Sequence, residues 1–437
     1  MVQKQQQDIT GMPYVPGIRK GTLQRGIAPG GVGRILIIRQ QDIANLVEPP
    51  AGFIVIEGAP FSHAMIHLMS KGLPAIIITE QQANLLQEGR EVMIDGASGY
   101  IGSAIRNEKT PPNESQMSLN EDIVTADGVI VSLRASVRSQ EAAQKARLAG
   151  AKAIGLVRSE FLVPEDQSQP DSAFYTRVFR EICETAAPLP VTIRLLDVAA
   201  DKIPTWMQGH EGVGGALGLQ GVRLFGIEPM KTVCLAQLEA INNLIDSYDL
   251  RILIPYLVRH EELAYWSKFI RGQLSKPLPL GAMVETPASA LDLANWFDQI
   301  DFVAVGCNDL MQCLFAADRD SAELRHYLDP YAPLLWRFMQ QIAMAAEARL
   351  EDIQLCGVLA QLPGVLPLLL GLGYRAFSVE ATLIPYLRQV IATTHTSDAR
   401  QLVQQICTSR ESRDVLRLLG LPFGKYRTFL IGQGPAA

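Results

Sequence analysis

Leu280-Gly-Ala-Met-Val-Glu-Thr-Pro-Ala-Ser-Ala-Leu-Asp-Leu-Ala-Asn-Trp-Phe-Asp-Gln-Ile-Asp-Phe-Val-Ala-Val-Gly-Cys-Asn-Asp309 reads as one full turn of an alternating pattern. Residues 280–285 form a short β-rich run, 288–297 carry apolar side chains at helical spacing, and 301–309 form a second β-rich run. A strand, a helical crossover and a strand make the unit from which parallel sheets are built. Outward from this unit, matching runs fall at 129–137, 153–161, 191–198, 251–256, 353–359 and 376–379. Together they make eight, with crossovers such as 139–148 between them. The pattern predicts an α/β fold and a (β/α)8 barrel, although a doubly wound open sheet shares the alternation. Reactive side chains favour the barrel, because barrel chemistry sits at the C-terminal ends of strands. Arg158 and Glu160 end the second run, Arg194 and Asp197 the third, Glu285 the fifth, Asn308 and Asp309 the sixth, and Cys356 the seventh. The connection from 198 to 251 is long and predicts extra elements.

The remainder of the chain divides around one polar stretch. Residues 106–118 hold two prolines and too little apolar surface to fold alone. The expected organisation is a head at 1–105, a linker at 106–118, the barrel at 119–408 and a tail at 409–437. A net charge of −6 gives no basic footprint for nucleic acid. The opening Met1-Val-Gln-Lys-Gln-Gln-Gln-Asp8 lacks the apolar core of a secretory signal. The most apolar stretch, 364–373, is about half a membrane span. Six cysteines show no CxxC pair, which predicts reduced thiols in a cytoplasmic protein with no membrane partner.

Those strand ends suggest a chemistry. Arginine pairs grip phosphate or carboxylate, and two carboxylates on separate strands suit magnesium with open positions for substrate oxygens. Cys356 could deliver a proton to a nucleophilic carbon; taken alone it reads as a small buried hydrophobe. Spacing by itself reaches metal-assisted chemistry on an anionic substrate and stops there.

Several motifs carry the reading further. Gly155-Leu-Val-Arg-Ser-Glu-Phe-Leu162 resembles GLxRTEFL, and Arg194-Leu-Leu-Asp-Val-Ala-Ala-Asp-Lys202 resembles RTxDIGGDK. Met283-Val-Glu-Thr-Pro-Ala-Ser-Ala290 is similar to MVExPAAA, and Gly306-Cys-Asn-Asp-Leu-Met-Gln312 followed by Asp318-Arg319 to GTNDLTQ…DR. Leu355-Cys-Gly357 and Leu370-Gly-Leu-Gly-Tyr-Arg-Ala-Phe-Ser378 resemble the last two signatures of the same series. The ordered set resembles the phosphoenolpyruvate-utilising enzymes: enzyme I of the sugar phosphotransferase system, phosphoenolpyruvate synthase and pyruvate phosphate dikinase. In the head, Gly58-Ala-Pro-Phe-Ser-His63, between a buried strand at 51–57 and a strand from Pro74, is similar to that family's GGRTSH…LPAIVG segment. Asp95-Gly-Ala-Ser-Gly-Tyr100 resembles the closing DGxxGY of its swivelling phosphohistidine domain.

The resemblance implies roles at the matching positions. His63 would carry the phosphoryl group, at a helix start whose dipole favours negative charge. Arg158, Arg194, Arg223 and Arg319 would bind the phosphate and carboxylate of phosphoenolpyruvate, with Asn308 and Lys202 as further phosphate contacts. Glu285 and Asp309 would hold Mg2+. Cys356 would protonate the enolate to give pyruvate. A homodimer through the barrel is also implied. His67 stands four residues after His63, but Ala64 excludes an HExxH zinc motif.

The departures are specific. Pro60 and Phe61 replace Arg-Thr before Ser62-His63, Ala199 and Ala200 replace Gly-Gly, and Val358 stands where the family has glutamate. Gly214 and Gly215 replace the Asn-Pro of NPxLGxR, and Gln220 its first arginine, while Arg223 survives. Residues 1–33 run directly into the head, leaving no expected space for enzyme I's helical domain or an ATP-grasp domain. The expected function is a phosphotransferase that moves the phosphoryl group from phosphoenolpyruvate to His63. From there it would pass to a separate protein or nucleotide-binding subunit. The alternative is a weakened phosphoenolpyruvate-binding sensor.

Overall fold

A computed structural model of the chain describes residues 8–27, 32–46, 48–103, 121–164, 166–198, 203–207, 217–422, 424 and 426. Lys202, the Ala-Ala and Gly-Gly departures and the polar stretch 106–118 lie outside the described residues.

The head is one sheet built from β1 (Ile9–Thr10), β2 (Met12–Val15), β3 (Ile18–Arg25), β4 (Arg34–Arg39), β5 (Gly52–Ile56), β6 (Ala75–Ile78), β7 (Glu91–Asp95) and β8 (Tyr100–Gly102). Its strand order is β1-β8-β7-β3-β4-β5-β6-β2. β4, β5 and β6 pair in parallel and are covered on both faces, so they read as unbroken apolar runs. The two-residue period divides them. Ile35, Ile37, Ile54 and Ile56 join one apolar cluster, while Leu36, Ile38, Phe53 and Val55 join the other. Helix α1 (His63–Ser70) packs Met65, Ile66, Leu68 and Met69 inward. Ser62 caps it by accepting the Met65 N–H at 3.3 Å, which makes His63 the first helical residue. A four-residue helix, α2 (Glu80–Ala83), follows β6.

After β9 (Ile123–Val124) come the barrel strands β10 (Ile130–Val137), β11 (Ile154–Arg158), β12 (Val191–Arg194), β13 (Leu250–Leu257), β14 (Leu280–Val284), β15 (Phe302–Gly306), β16 (Ile353–Cys356) and β17 (Ala376–Glu380). Each pairs in parallel with the next, and β10 also pairs with β17, which closes the barrel. All eight expected runs are strands, and the open-sheet alternative is excluded. Leu156, Leu253, Met283, Phe302, Ala304 and Cys356 form a cluster of their own, separate from the core beneath the helices. The first crossover is α3 (Gln140–Leu148), capped by Ser139. The expected helix at 288–297 is two short ones, Pro287–Leu291 and Leu293–Trp296. At their joint the Asp292 carboxylate accepts from Asn295 Nδ2 and Trp296 Nε1, a local competition that disfavours an unbroken helix. Within the long connection, the described residues include short turns at Thr205–Met207 and Gly221–Leu224 and the helix Met230–Asn242.

The head rests on the C-terminal mouth of the barrel. Arg325 pairs with Glu57 at 3.1 Å, and Gln40 Nε2 donates to the Asp320 carbonyl at 3.2 Å. Gly72, at φ +68°, faces Thr382 so closely that a Cβ would lie 2.7 Å from its methyl. Among the described residues no helix is long and apolar enough to cross a membrane.

Candidate active site

The C-terminal strand ends surround a cavity of about 70 Å3 that His63, Arg158, Arg194, Glu285, Asp309 and Cys356 all help to line. Asn308 and Arg319 line it as well, so eight of the ten candidate residues meet in one place. Arg223 does not reach it. Its guanidinium lies over the Tyr256 ring, 5.0 Å from the centroid, and donates to the carbonyls of Leu217 and Gly218. Tyr256 itself lines the cavity. The tenth, Lys202, is outside the described residues.

His63 is held between two barrel residues. Its backbone N–H donates to Asp320 Oδ1 at 2.9 Å, and its Nδ1 lies 3.0 Å from Asp320 Oδ2. On the other side of the ring, Arg319 Nη2 is 2.8 Å from Nε2. An ionised carboxylate only accepts and a guanidinium only donates, so the ring proton sits on Nδ1 and Nε2 offers its lone pair. A nucleophilic role for this ring would fall to Nε2. Arg319 also pairs with Asp309 at 3.2 Å.

Arginines are set by carboxylates below the mouth. Glu160 Oε1 accepts from Arg158 Nε at 3.0 Å and from Arg194 Nη2 at 2.6 Å. Asp197 takes the other arm of Arg194 at 2.7 Å. Burial pulls the Arg194 pKa down, but Asp197, Glu160 and Glu285 outweigh it and raise the net value. Its Nε nevertheless meets no partner among the described residues. A buried donor left open beside a cavity is a place for a ligand oxygen.

Glu285 is almost wholly buried, and one oxygen accepts the Tyr256 N–H at 3.0 Å. Burial and then the charges of Asp309 and Asp197 push its carboxyl well above the usual range. That repulsion among carboxylates is what a divalent cation relieves, and an all-oxygen donor set suits a hard one. Glu285 and Asp309 would give such an ion two oxygen ligands, and among the described residues no group of three or more His, Cys, Asp or Glu is placed to hold a metal. Space for the Glu285 carboxylate depends on Gly306, where a Cβ would come within 2.6 Å of Oε1.

Burial pushes the Cys356 thiol up to about 12, so it keeps its proton at neutral pH. The next residue, Gly357, has φ +101°, and a Cβ there would strike Asn308. Asn308 Oδ1 accepts the Val358 N–H at 3.0 Å and so fixes the turn after the thiol. Val358 is fully buried and lines the cavity with an apolar wall. Phe61, the other departure beside the site, is packed in the head core, and the Pro60 carbonyl accepts from Tyr14 at 2.9 Å.

Sequence reading missed Asp320 and Gln40. Gln40 accepts from Ala59 N–H at 3.0 Å and from the Ser62 hydroxyl at 3.3 Å while donating to Asp320, so it ties the histidine loop to the barrel. The only signal for Asp320 was its place beside Arg319.

Comparison with known proteins agrees with this geometry. Residues 112–396 match the family described as PEP-utilising enzyme, PEP-binding domain. Residues 33–99 match PEP-utilising enzyme, mobile domain. A phosphoenolpyruvate-protein phosphotransferase of Haloferax volcanii is 29% identical over 389 residues, covering 86% of this chain and 69% of the relative. That of Cupriavidus necator is 30% identical over 400 residues, covering 85% and 68%. The multiphosphoryl transfer protein 2 of Escherichia coli is 27% identical over 390 residues, 84% of this chain and 47% of its own length. With the mobile domain seated on the mouth of a closed barrel and both family matches in sequence order, the chain belongs to the PEP-utilising enzymes.

Proposed function

We propose that this chain is a phosphoenolpyruvate-dependent phosphotransferase whose phosphoryl carrier is His63. The observation that carries this reading is the position of His63 Nε2, 2.8 Å from Arg319 at the mouth lined by Arg158, Arg194, Glu285, Asp309 and Cys356. Arg158, Arg194 and Arg319 bind the phosphate and carboxylate of phosphoenolpyruvate, and the Asn308 amide adds a phosphate contact. Arg223 and Lys202 are secondary members of that set. Glu285 and Asp309 would hold Mg2+, which would supply charge neutralisation during phosphoryl transfer. His63 Nε2 attacks the phosphorus in line, the P–O bond to the enolate breaks, and the enolate carbon takes a proton from Cys356 to give pyruvate. The Nδ1 proton stays on the ring, held by the Asp320 carboxylate. A separate protein or nucleotide-binding subunit then takes the phosphoryl group. The folding units are a phosphohistidine head, a linker at 106–118 and the barrel, working in the cytoplasm as a dimer through the barrel.

A second reading, a phosphoenolpyruvate sensor, draws on the apolar wall that Val358 gives the cavity. One experiment separates them. Incubation with phosphoenolpyruvate and Mg2+ adds one acid-labile, base-stable phosphoryl mass, lost in His63→Ala and kept in His67→Ala. Binding of phosphoenolpyruvate without any such gain would leave the sensor.

A further inference from the structure

A second cleft, of about 240 Å3, opens along the seam between head and barrel and adjoins the mouth through Arg158. Two bodies wall it. The head contributes His67, Ser70 and Lys71 from the end of α1, and the barrel contributes Arg138 and Ser139 after β10 and Lys145 on α3.

The cleft is electrostatically one-sided. The Lys71 ammonium makes no hydrogen bond or ion pair among the described residues. Burial, then the charges of Arg138 and Lys145, pull its pKa down. His67 is held at about 4 by burial, then by Arg138 and Lys71, so it is neutral and its Nδ1 accepts from Arg138 at 2.9 Å. Two carboxylates also face the cleft. Glu141 is bonded to Lys145 at 2.8 Å, and Glu380 lies near Arg138 and Arg158. Arg158 is already paired with Glu160; even with Glu141 and Glu380 both ionised, Lys71, Arg138 and Lys145 leave a surplus of one positive charge. On the barrel wall the buried Thr382 hydroxyl meets no partner. The start of α3 at Ser139 adds its positive dipole end.

Lys71 stands on the head, while Arg138 and Lys145 stand on the barrel. Like charges therefore face each other across the seam and oppose docking, and an anion between them reverses the sign of the interaction. We propose that this cleft binds a small phosphate-bearing anion, and that its occupancy clamps the head on the barrel with His63 in the mouth. A guanidinium, two ammonium groups and two hydroxyls suit the oxygens of a phosphate dianion. The volume is below the ~300 Å3 at which pockets for drug-sized ligands begin, which selects a small anion over a peptide. This site goes beyond phosphotransfer, because its occupancy is read by docking and not by turnover.

The test uses the whole chain without phosphoenolpyruvate. The rate at which diethyl pyrocarbonate modifies His63 is followed by peptide mass in inorganic phosphate, in glycerol phosphate and in chloride of matched ionic strength. An anion at ten times its dissociation constant multiplies the docked-to-undocked ratio, so saturating phosphate slows modification roughly tenfold. Lys71→Ala abolishes that response. Lys71→Glu, which pairs with the barrel cations directly, slows modification in plain buffer and removes the dependence on phosphate. Both substitutions are at a partly exposed position, and circular dichroism checks their fold. Stronger protection by the ester identifies an organophosphate as the source; stronger protection by inorganic phosphate identifies the free ion. Protection that survives in Lys71→Ala places the anion in the mouth and overturns the proposal, as does equal protection by chloride. Loss of the seam site would leave phosphoryl gain at His63 intact, so the two readings fail separately.

Discussion

Asp320 grips His63 twice, accepting its backbone N–H at 2.9 Å with one oxygen and standing 3.0 Å from its Nδ1 with the other. Burial alone would raise the Asp320 pKa, but hydrogen bonds and charge from His63, with Arg319 added, hold it low. It is therefore a carboxylate at neutral pH and fixes both the position and the tautomer of the ring. Asp320→Asn keeps the shape and loses that control. We expect the rate of phosphoryl gain at His63 to fall about 10^2-fold or more, the scale of a positioned proton partner. Phosphoenolpyruvate binding should be unchanged in calorimetry, with the loss read by quenched-flow mass analysis.

Glu160 is shared by Arg158 and Arg194. Glu160→Gln leaves the buried Arg194 and the half-buried Arg158 short of one negative charge. Breaking such a pair costs about 3 kcal/mol or more. A substrate anion replaces the missing charge, so phosphoenolpyruvate should raise the melting temperature of the variant more than that of the wild type.

Asp309 and Glu285 differ in exposure, since Asp309 is partly open and Glu285 is enclosed. Asp309→Ala should therefore leave the chain folded and abolish Mg2+-dependent phosphoenolpyruvate binding. Calorimetry with and without Mg2+ checks it; unchanged binding counts against Asp309 as a ligand.

Cys356 keeps its proton because burial pushes its thiol up to about 12. Cys356→Ala should stop pyruvate release while phosphoenolpyruvate still binds. Pyruvate is followed by a coupled dehydrogenase assay, and full release in the variant would assign the proton to another group.

Asp329, under the C-terminal helix Ser412–Leu418, is held at about 6 by burial, against hydrogen bonds from Ser412 and the Tyr331 N–H. Its folded pKa lies above the usual carboxylate value, so the folded chain keeps a proton that the unfolded chain releases. Its contribution to stability is full below the usual carboxylate range and falls as pH rises through about 6. The loss is on the order of 2–3 kcal/mol. Urea unfolding at a series of pH values should show this fall in the wild type and a flatter profile in Asp329→Asn.

Much of this architecture is legible in the residues. Buried parallel strands must be apolar throughout, so β14 and β15 announce themselves as Leu280–Val284 and Phe302–Gly306. A charged residue at or shortly after the end of such a run has to leave the barrel wall at its mouth, which is why Arg158, Glu285 and Asp309 are legible. Asp320 is different. Its bond to His63 joins residues 257 positions apart, and nothing local separates it from Asp318. Arg223 sits in a matching motif, yet its side chain ends over Tyr256, because motif position fixes the backbone and neighbouring rings decide the rest. The seam cleft was hidden for the same reason: Lys71 and Arg138 are ordinary surface cations until two separate bodies bring them together.

Arg319 and Asp320 are consecutive in the chain, yet each faces a different nitrogen of one imidazole. A docked ring therefore turns Nδ1 to Asp320 and Nε2 into the barrel mouth, away from a passing client. On the proposed function, cargo loaded at the barrel is handed over only after the head has left its berth. Loading and delivery are then successive stops of one shuttle, and a client protein has no means of short-circuiting the traffic by reaching into the barrel.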